Sequence, residues 1–198
     1  MNKIIEILSA ITTGLIFIYL GHQYHKEYII ITSIIWISYI LFSTQQKRDY
    51  WGITTKNIYK AFLLPTQLFI VGLFYIILNA KTAHYTKTAH YTKTAHLIAT
   101  LFIYPLWGLL QQFLVQSMII KNLPQLNIIL TIIIGGCLFS IIHIHTPFLL
   151  LPTFLLGCAW TYCYIKNNNI IPLGIYHGIL ASLYFHYILN QDITIYLQ

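Results

Sequence analysis

Residues 97–120 read LIATLFIYPLWGLLQQFLVQSMII, a stretch without a single charge that carries Gln111, Gln112 and Gln116 among its aliphatic and aromatic side chains. A run of this length is what one helical crossing of a bilayer needs, about 20 apolar residues. Three strongly hydrogen-bonding amides inside it require partners, because an unpaired amide in hydrocarbon is costly. The rest of the chain has the same character. Of its 198 residues 58% are hydrophobic and 8% are charged, with a mean hydropathy of +0.70, whereas soluble domains are about a quarter charged. The composition predicts an all-α integral membrane protein with no separate hydrophilic domain.

Six further apolar runs surround the first: 4–20, 28–42, 62–78, 126–144, 148–165 and 170–189. Seven spans are therefore expected, the second short and the fourth long. The first begins with Lys3 and lacks small-residue cleavage chemistry, which predicts an uncleaved helix. Placing the N-terminus in the cytoplasm puts Lys3, Lys47, Arg48, Lys56, Lys60, Lys121 and Lys166 on that side and Lys26, Lys81, Lys87 and Lys93 outside, seven basic residues against four. The formal charge of +7 is accounted for by topology, and no clustered basic face suggests a nucleic-acid partner. The loop TQQKRDYWGITTKNIYK, 44–60, places Tyr50, Trp51 and Tyr59 among basic residues and is expected to lie along lipid headgroups. Cys137, Cys158 and Cys163 are expected to be small buried side chains, without disulfide or zinc chemistry.

Residues 81–98, KTAHYTKTAHYTKTAHLI, repeat a hexapeptide. A six-residue step on a helix does not bring His84, His90 and His96 to one face, and along a strand they stand about 20 Å apart. A tandem duplication in an exposed loop is expected there rather than a metal site.

Polar residues within the runs are candidates for function: Gln67, Gln111, Gln112, Gln116, His143, His145, His177 and His186. For isolated ones such as Gln67 and His186, an interhelical hydrogen bond is the expected role. The others fall in an ordered series: PLWGLLQQFLVQSMI, then GGCLFSIIHIHTPFL, LPTFLLGCAWTYCYIKNNN and IIPLGIYHGILASLYF. This series resembles the CPBP family, the type II CAAX prenyl endopeptidases with their bacterial bacteriocin-processing and self-immunity (Abi-like) relatives, over about residues 104–190. The family pattern is EExxxR, FxxxH and HxxxN on successive core helices, with a TF-x-x-G helix and a short basic turn between the last two. Phe139 and His143 match FxxxH, Thr153 to Gly157 match the joining helix, Lys166 the turn, and His177 the final histidine.

The chain departs from the pattern at Gln111, Gln112 and Gln116, where the family has two glutamates and an arginine, and at Ala181, beside Ser182, where it has asparagine. The resemblance implies that His143 with the first acidic position activates water, and that His177 with the asparagine position steadies an oxyanion. Carried over, Gln111 hydrogen-bonds water but cannot take its proton, and Ala181 donates nothing. Gln112 and Gln116, four apart, are expected to pair on one helical face. The four acids, Glu6, Glu27, Asp49 and Asp192, lie near span ends or in loops, so none stands in for the missing carboxylate. The same inventory excludes an aspartyl intramembrane protease, and HExxH and G-x-S-x-G are both absent.

At 1.5 Å per residue, Gln111 and His177 lie about 14 and 10 Å from the cytoplasmic face. His143 comes out at about 25 Å, so the set converges only if the fifth helix is shifted or tilted, which Gly135 and Gly136 would assist. The expected organisation is an N-terminal region of spans and loops, 1–96, followed by a CPBP-like core, 97–198. The expected candidate catalytic residues are Gln111, Gln112, His143 and His177, with no metal or cofactor. The expected partners are membrane lipid and a membrane-associated peptide or protein, in a bacterial cytoplasmic membrane. Two functions stay open: an intramembrane endopeptidase, or a catalytically silent relative that binds a membrane peptide or partner. A histidine-relay transporter ranks below both, because it predicts two-fold internal symmetry that the sequence lacks.

Overall fold

The computed structural model describes residues 2–20, 25–80, 87–124 and 126–188, with the backbone alone at 25–26 and 87–96. Among the described residues there is no strand, and every apolar run forms a helix. The elements are α1 (Lys3–Leu20), α2 (His25–Leu41), α3 (Gln45–Trp51), α4 (Ile58–Asn79), α5 (Lys87–Gln112), α6 (Ile128–Ile141), α7 (Pro147–Asn167) and α8 (Ile171–Tyr187). Beyond Gln112, α5 continues as a π-helical turn, Phe113–Ile119, and a 3-10 turn, Ile120–Asn122. By length and composition Lys3–Leu20, Ile58–Asn79, Leu97–Asn122 and Pro147–Asn167 can each cross a membrane, and Glu27–Leu41 and Ile128–Ile141 are shorter apolar helices. The chain is an all-α membrane helix bundle. Large aliphatic and aromatic side chains such as Leu63, Phe74, Phe102, Leu106, Ile129 and Leu155 cover its outer surface, the face hydrocarbon accepts.

Two tight helix pairs organise the core, α5 on α8 and α6 on α7. Both depend on glycine. A Cβ on Gly174 would stand 2.5 Å from the Cα of Leu109, and one on Gly157 would stand 3.0 Å from the Cα of Gly136. Without side chains at these crossings the backbones approach closely, the usual basis of helix association in lipid.

The 44–60 segment differs from its expected place. Thr44 caps α3 by accepting from the Lys47 backbone N–H, and Gly52 ends it at φ +81°. Tyr59 is exposed and Tyr50 partly so, as an interfacial segment requires, but Trp51 is fully buried. The Trp51 ring meets Phe113 edge-on, with centroids 5.2 Å apart, and its carbonyl accepts from Ser117 Oγ at 2.6 Å and Tyr164 OH at 3.1 Å. Trp51 is thus a plug between α3 and the π-helical turn: its ring packs on Phe113 and its Nε1–H donates to Glu6 Oε2 at 3.4 Å, so the polar end of the buried indole is satisfied within the protein.

Glu6 is also buried. It pairs with Lys47 Nζ at 2.9 Å and accepts from Asn122 Nδ2 at 2.7 Å, joining α1, α3 and the end of the α5 span. Of the cysteines, Cys163 is buried as expected, whereas Cys158 is half-buried and Cys137 lies on the bundle's surface; all three are free thiols. Residues 81–86 of the hexapeptide repeat lie outside the described residues. From Lys87 onward the backbone is already helical, so this part of the repeat extends α5 instead of forming a loop.

Candidate functional site

Gln111 on α5, His143 after α6, and His177 and Ala181 on α8 line one cavity of ≈ 420 Å³. These are the positions at which the sequence pattern places its water-activating and oxyanion-steadying residues. Trp107, His145 and Thr146 are also part of its wall. Two apolar cavities adjoin this chamber. One, of ≈ 130 Å³, reaches His143 and His177 from the side of α4 and α7. The other, of ≈ 220 Å³ between α1, α5 and α6, shares Phe17, Trp107, Gln111 and Ile142 with the chamber. A chamber that carries polar side chains and is flanked by apolar space suits a ligand with a polar bond between greasy parts.

His143 reaches the chamber from a turn and not from a helix. Helix α6 stops at Ile141, short of the expected 144, and the backbone closes successive turns from His143 N–H to Ser140 O and from Thr146 N–H to His143 O. Pro147 explains the break: the residue before proline is driven from helical geometry, and Thr146 sits at φ −131°, ψ 74° while proline starts α7. From this turn the His143 ring folds back one helical turn, with Nδ1 2.9 Å from the Phe139 carbonyl. A carbonyl only accepts, so Nδ1 donates, and in the neutral ring Nε2 holds the lone pair. That ring nitrogen has the character of a general base.

Phe139 does more than its place in FxxxH suggests. Its carbonyl orients His143, while its ring packs edge-on against His177, with centroids 5.7 Å apart at 61°. One residue therefore braces both histidines.

The glutamines divide. Gln111 is half-buried and faces the chamber. Gln112 is fully buried and does not line it; its Nε2 stands 3.4 Å from His177 Nδ1. Gln116, also fully buried, donates from Nε2 to Thr161 Oγ1 on α7 at 3.0 Å. The expected Gln112–Gln116 pair is not formed: the Gln112 amide turns to His177 on α8 and the Gln116 amide to Thr161 on α7. The Oε1 atoms of Gln112 and Gln116 have no hydrogen-bond partner among the described residues.

Of the remaining candidates, His145 also lines the chamber, and the others lie elsewhere. Gln67 is exposed on the outside of α4. His145 Nε2 donates to the Ile18 carbonyl at 2.9 Å, tying the α6–α7 turn to the end of α1. The His186 ring packs edge-on against Tyr187. Ser182 does not replace the asparagine missing at Ala181: its Oγ donates to the carbonyls of Gly178 at 3.0 Å and Thr100 at 3.3 Å. Thr161 is one of several hydroxyl residues in its run, and nothing in its spacing marks it as the partner of Gln116. Glu6 remains with its own partners, Lys47, Asn122, Trp51 and Tyr39, and is absent from the chamber wall. Among the described residues no three His, Cys, Asp or Glu side chains are grouped to hold a metal ion.

Residues 93–183 match the family described as Type II CAAX prenyl endopeptidase Rce1-like. Comparison with curated proteins and with solved structures gives no match.

Proposed function

Through its residues 93–183 the chain belongs to the CPBP family of type II CAAX prenyl endopeptidase-like membrane proteases, and from that premise we propose that it hydrolyses a membrane-associated peptide in the chamber between α5, α6 and α8. The observation that carries this reading is the convergence of Gln111, His143 and His177 from three elements on one cavity.

In the proposed reaction a water held by the Gln111 amide gives its proton to His143 Nε2 as its oxygen attacks the peptide carbonyl. His177 donates a hydrogen bond to the oxyanion that forms. The C–N bond then breaks, and the proton on His143 passes to the leaving amine. Ala181 supplies no second donor, and the described residues that line the chamber include no carboxylate, so slow turnover is expected. The bilayer and the peptide are the proposed partners. The proposed setting is a bacterial cytoplasmic membrane with the N-terminus inside; the basic residues serve orientation and no nucleic acid is bound.

The missing carboxylate favours a second reading, in which the same chamber binds a membrane peptide without cleaving it. Purified protein in liposomes separates the two. Cleavage of a membrane peptide by the native chain, lost in His143→Ala, supports the peptidase. If the native chain cleaves nothing while Gln111→Glu does, the protein is the silent relative.

A further inference from the structure

Gln112 is fully buried, stands outside the chamber wall, and places its amide nitrogen against His177 Nδ1 at 3.4 Å. An amide nitrogen only donates, so Nδ1 accepts, and the proton of the neutral imidazole resides on Nε2. The reversed amide would leave an NH2 group buried with two unpaired donors. The observed orientation leaves a carbonyl oxygen unpartnered, which buried sites tolerate better. Phe139 packs edge-on against the same ring and holds its plane. With Nδ1 turned to Gln112, Nε2 is the ring nitrogen left for the cavity that His177 lines.

We propose that Gln112 is a positioning residue that locks His177 as its neutral Nε2–H tautomer, so that the chamber offers a fixed hydrogen-bond donor at His177 Nε2 and a fixed acceptor at His143 Nε2. The two rings are set oppositely by two neutral groups, the Gln112 amide and the Phe139 carbonyl. A carboxylate at position 112 would do the reverse, accepting from Nδ1–H and stripping the neutral ring's Nε2 of its proton. Glutamine at 112 is therefore a functional choice: it makes His177 a donor without charging it. Such a pair recognises a neutral carbonyl together with a water. The catalytic consequence rests on the peptidase reading; the tautomer itself does not.

The test is nitrogen NMR of 15N-histidine-labelled full-length protein in phosphatidylcholine and phosphatidylglycerol vesicles, without substrate, with His177 assigned by loss of its signals in His177→Phe. The expected native spectrum shows an unprotonated Nδ1 and a protonated Nε2 at His177. Gln112→Glu should move the proton to Nδ1, and Gln112→Met should release a mixture. A native spectrum with Nδ1 protonated, or a His177 signal indifferent to both substitutions, overturns the proposal. The native spectrum decides alone if a variant does not fold. In the liposome assay Gln112→Glu should then lower kcat about 100-fold, the loss of an oxyanion donor, with KM little changed. A native chain that cleaves nothing but shows this tautomer sinks the peptidase reading and leaves the lock standing.

Discussion

The side chains of Gln116 and Thr161 meet across 3.0 Å between the π-helical turn and α7, both without solvent exposure. Thr161→Val keeps the volume and removes the acceptor, so the Gln116 amide is left unpaired in a dry interior. This should cost about 1–3 kcal/mol. Adding Gln116→Leu should recover part of the loss, giving a coupling energy that equilibrium unfolding in detergent micelles can measure. If the valine variant is as stable as the native chain, the amide has another partner.

Gly174 presents its face to the Cα of Leu109, where an added Cβ would stand 2.5 Å away. The obstacle is backbone, which cannot rotate aside. Gly174→Ala should lower stability by about 1–3 kcal/mol and separate the helices that carry Gln111 and His177. The expected result is a lower unfolding temperature together with lost cleavage; an unchanged midpoint would mean that α5 and α8 are more loosely packed than described.

Glu6 and Lys47 form an ion pair whose carboxylate side is 3% exposed and whose amine side is 26% exposed. Removing the carboxylate strands Lys47 beside the Trp51 ring, where its Nζ lies 5.0 Å from the centroid. Glu6→Ala should destabilise by about 3 kcal/mol, the low end for a broken buried pair because Lys47 retains access to water. Chemical unfolding of the two proteins side by side checks this.

Asp49 supplies the contrast. Hydrogen bonds from Lys56, and then from Gln45, hold its carboxyl below the ordinary carboxylate range. A depressed folded value means that its contribution is present above the unfolded carboxylate pKa, about 3.9, and is lost as pH falls through the folded one. The Lys56 partner is solvent-exposed, so screening leaves little at neutral pH. Asp49→Asn should therefore barely move the unfolding midpoint at pH 7 in moderate salt, and a large shift there would contradict the surface assignment.

Hydropathy alone located every helix that carries the site, since each apolar run folds as one, and it marked the residues that converge because polar atoms are expensive in such runs. What it missed depends on contacts between distant segments. Trp51 reads as an interfacial aromatic by its neighbours, yet Phe113, Ser117 and Tyr164 bury it. Hydropathy also carries the fifth run through to Ile144 as one helix, whereas α6 ends at Ile141 and Thr146, before Pro147, leaves helical geometry. The four-residue spacing of Gln112 and Gln116 suggests a mutual pair, yet each amide finds its partner on another helix, His177 on α8 and Thr161 on α7.

That wide turn from Phe113 to Ile119 also sets where the chain can change length. Deleting one residue from an ordinary α-helical stretch of α5 rotates everything beyond it by about 100° and would swing Trp107 or Gln111 away from the chamber. Within 113–119 the same deletion lets the backbone tighten toward regular α geometry, with the frame on both sides nearly preserved. This short segment acts as a splice in the Leu97–Asn122 span, able to absorb an inherited loss of one residue while the chamber on one side of it and the Glu6 anchorage on the other stay in phase.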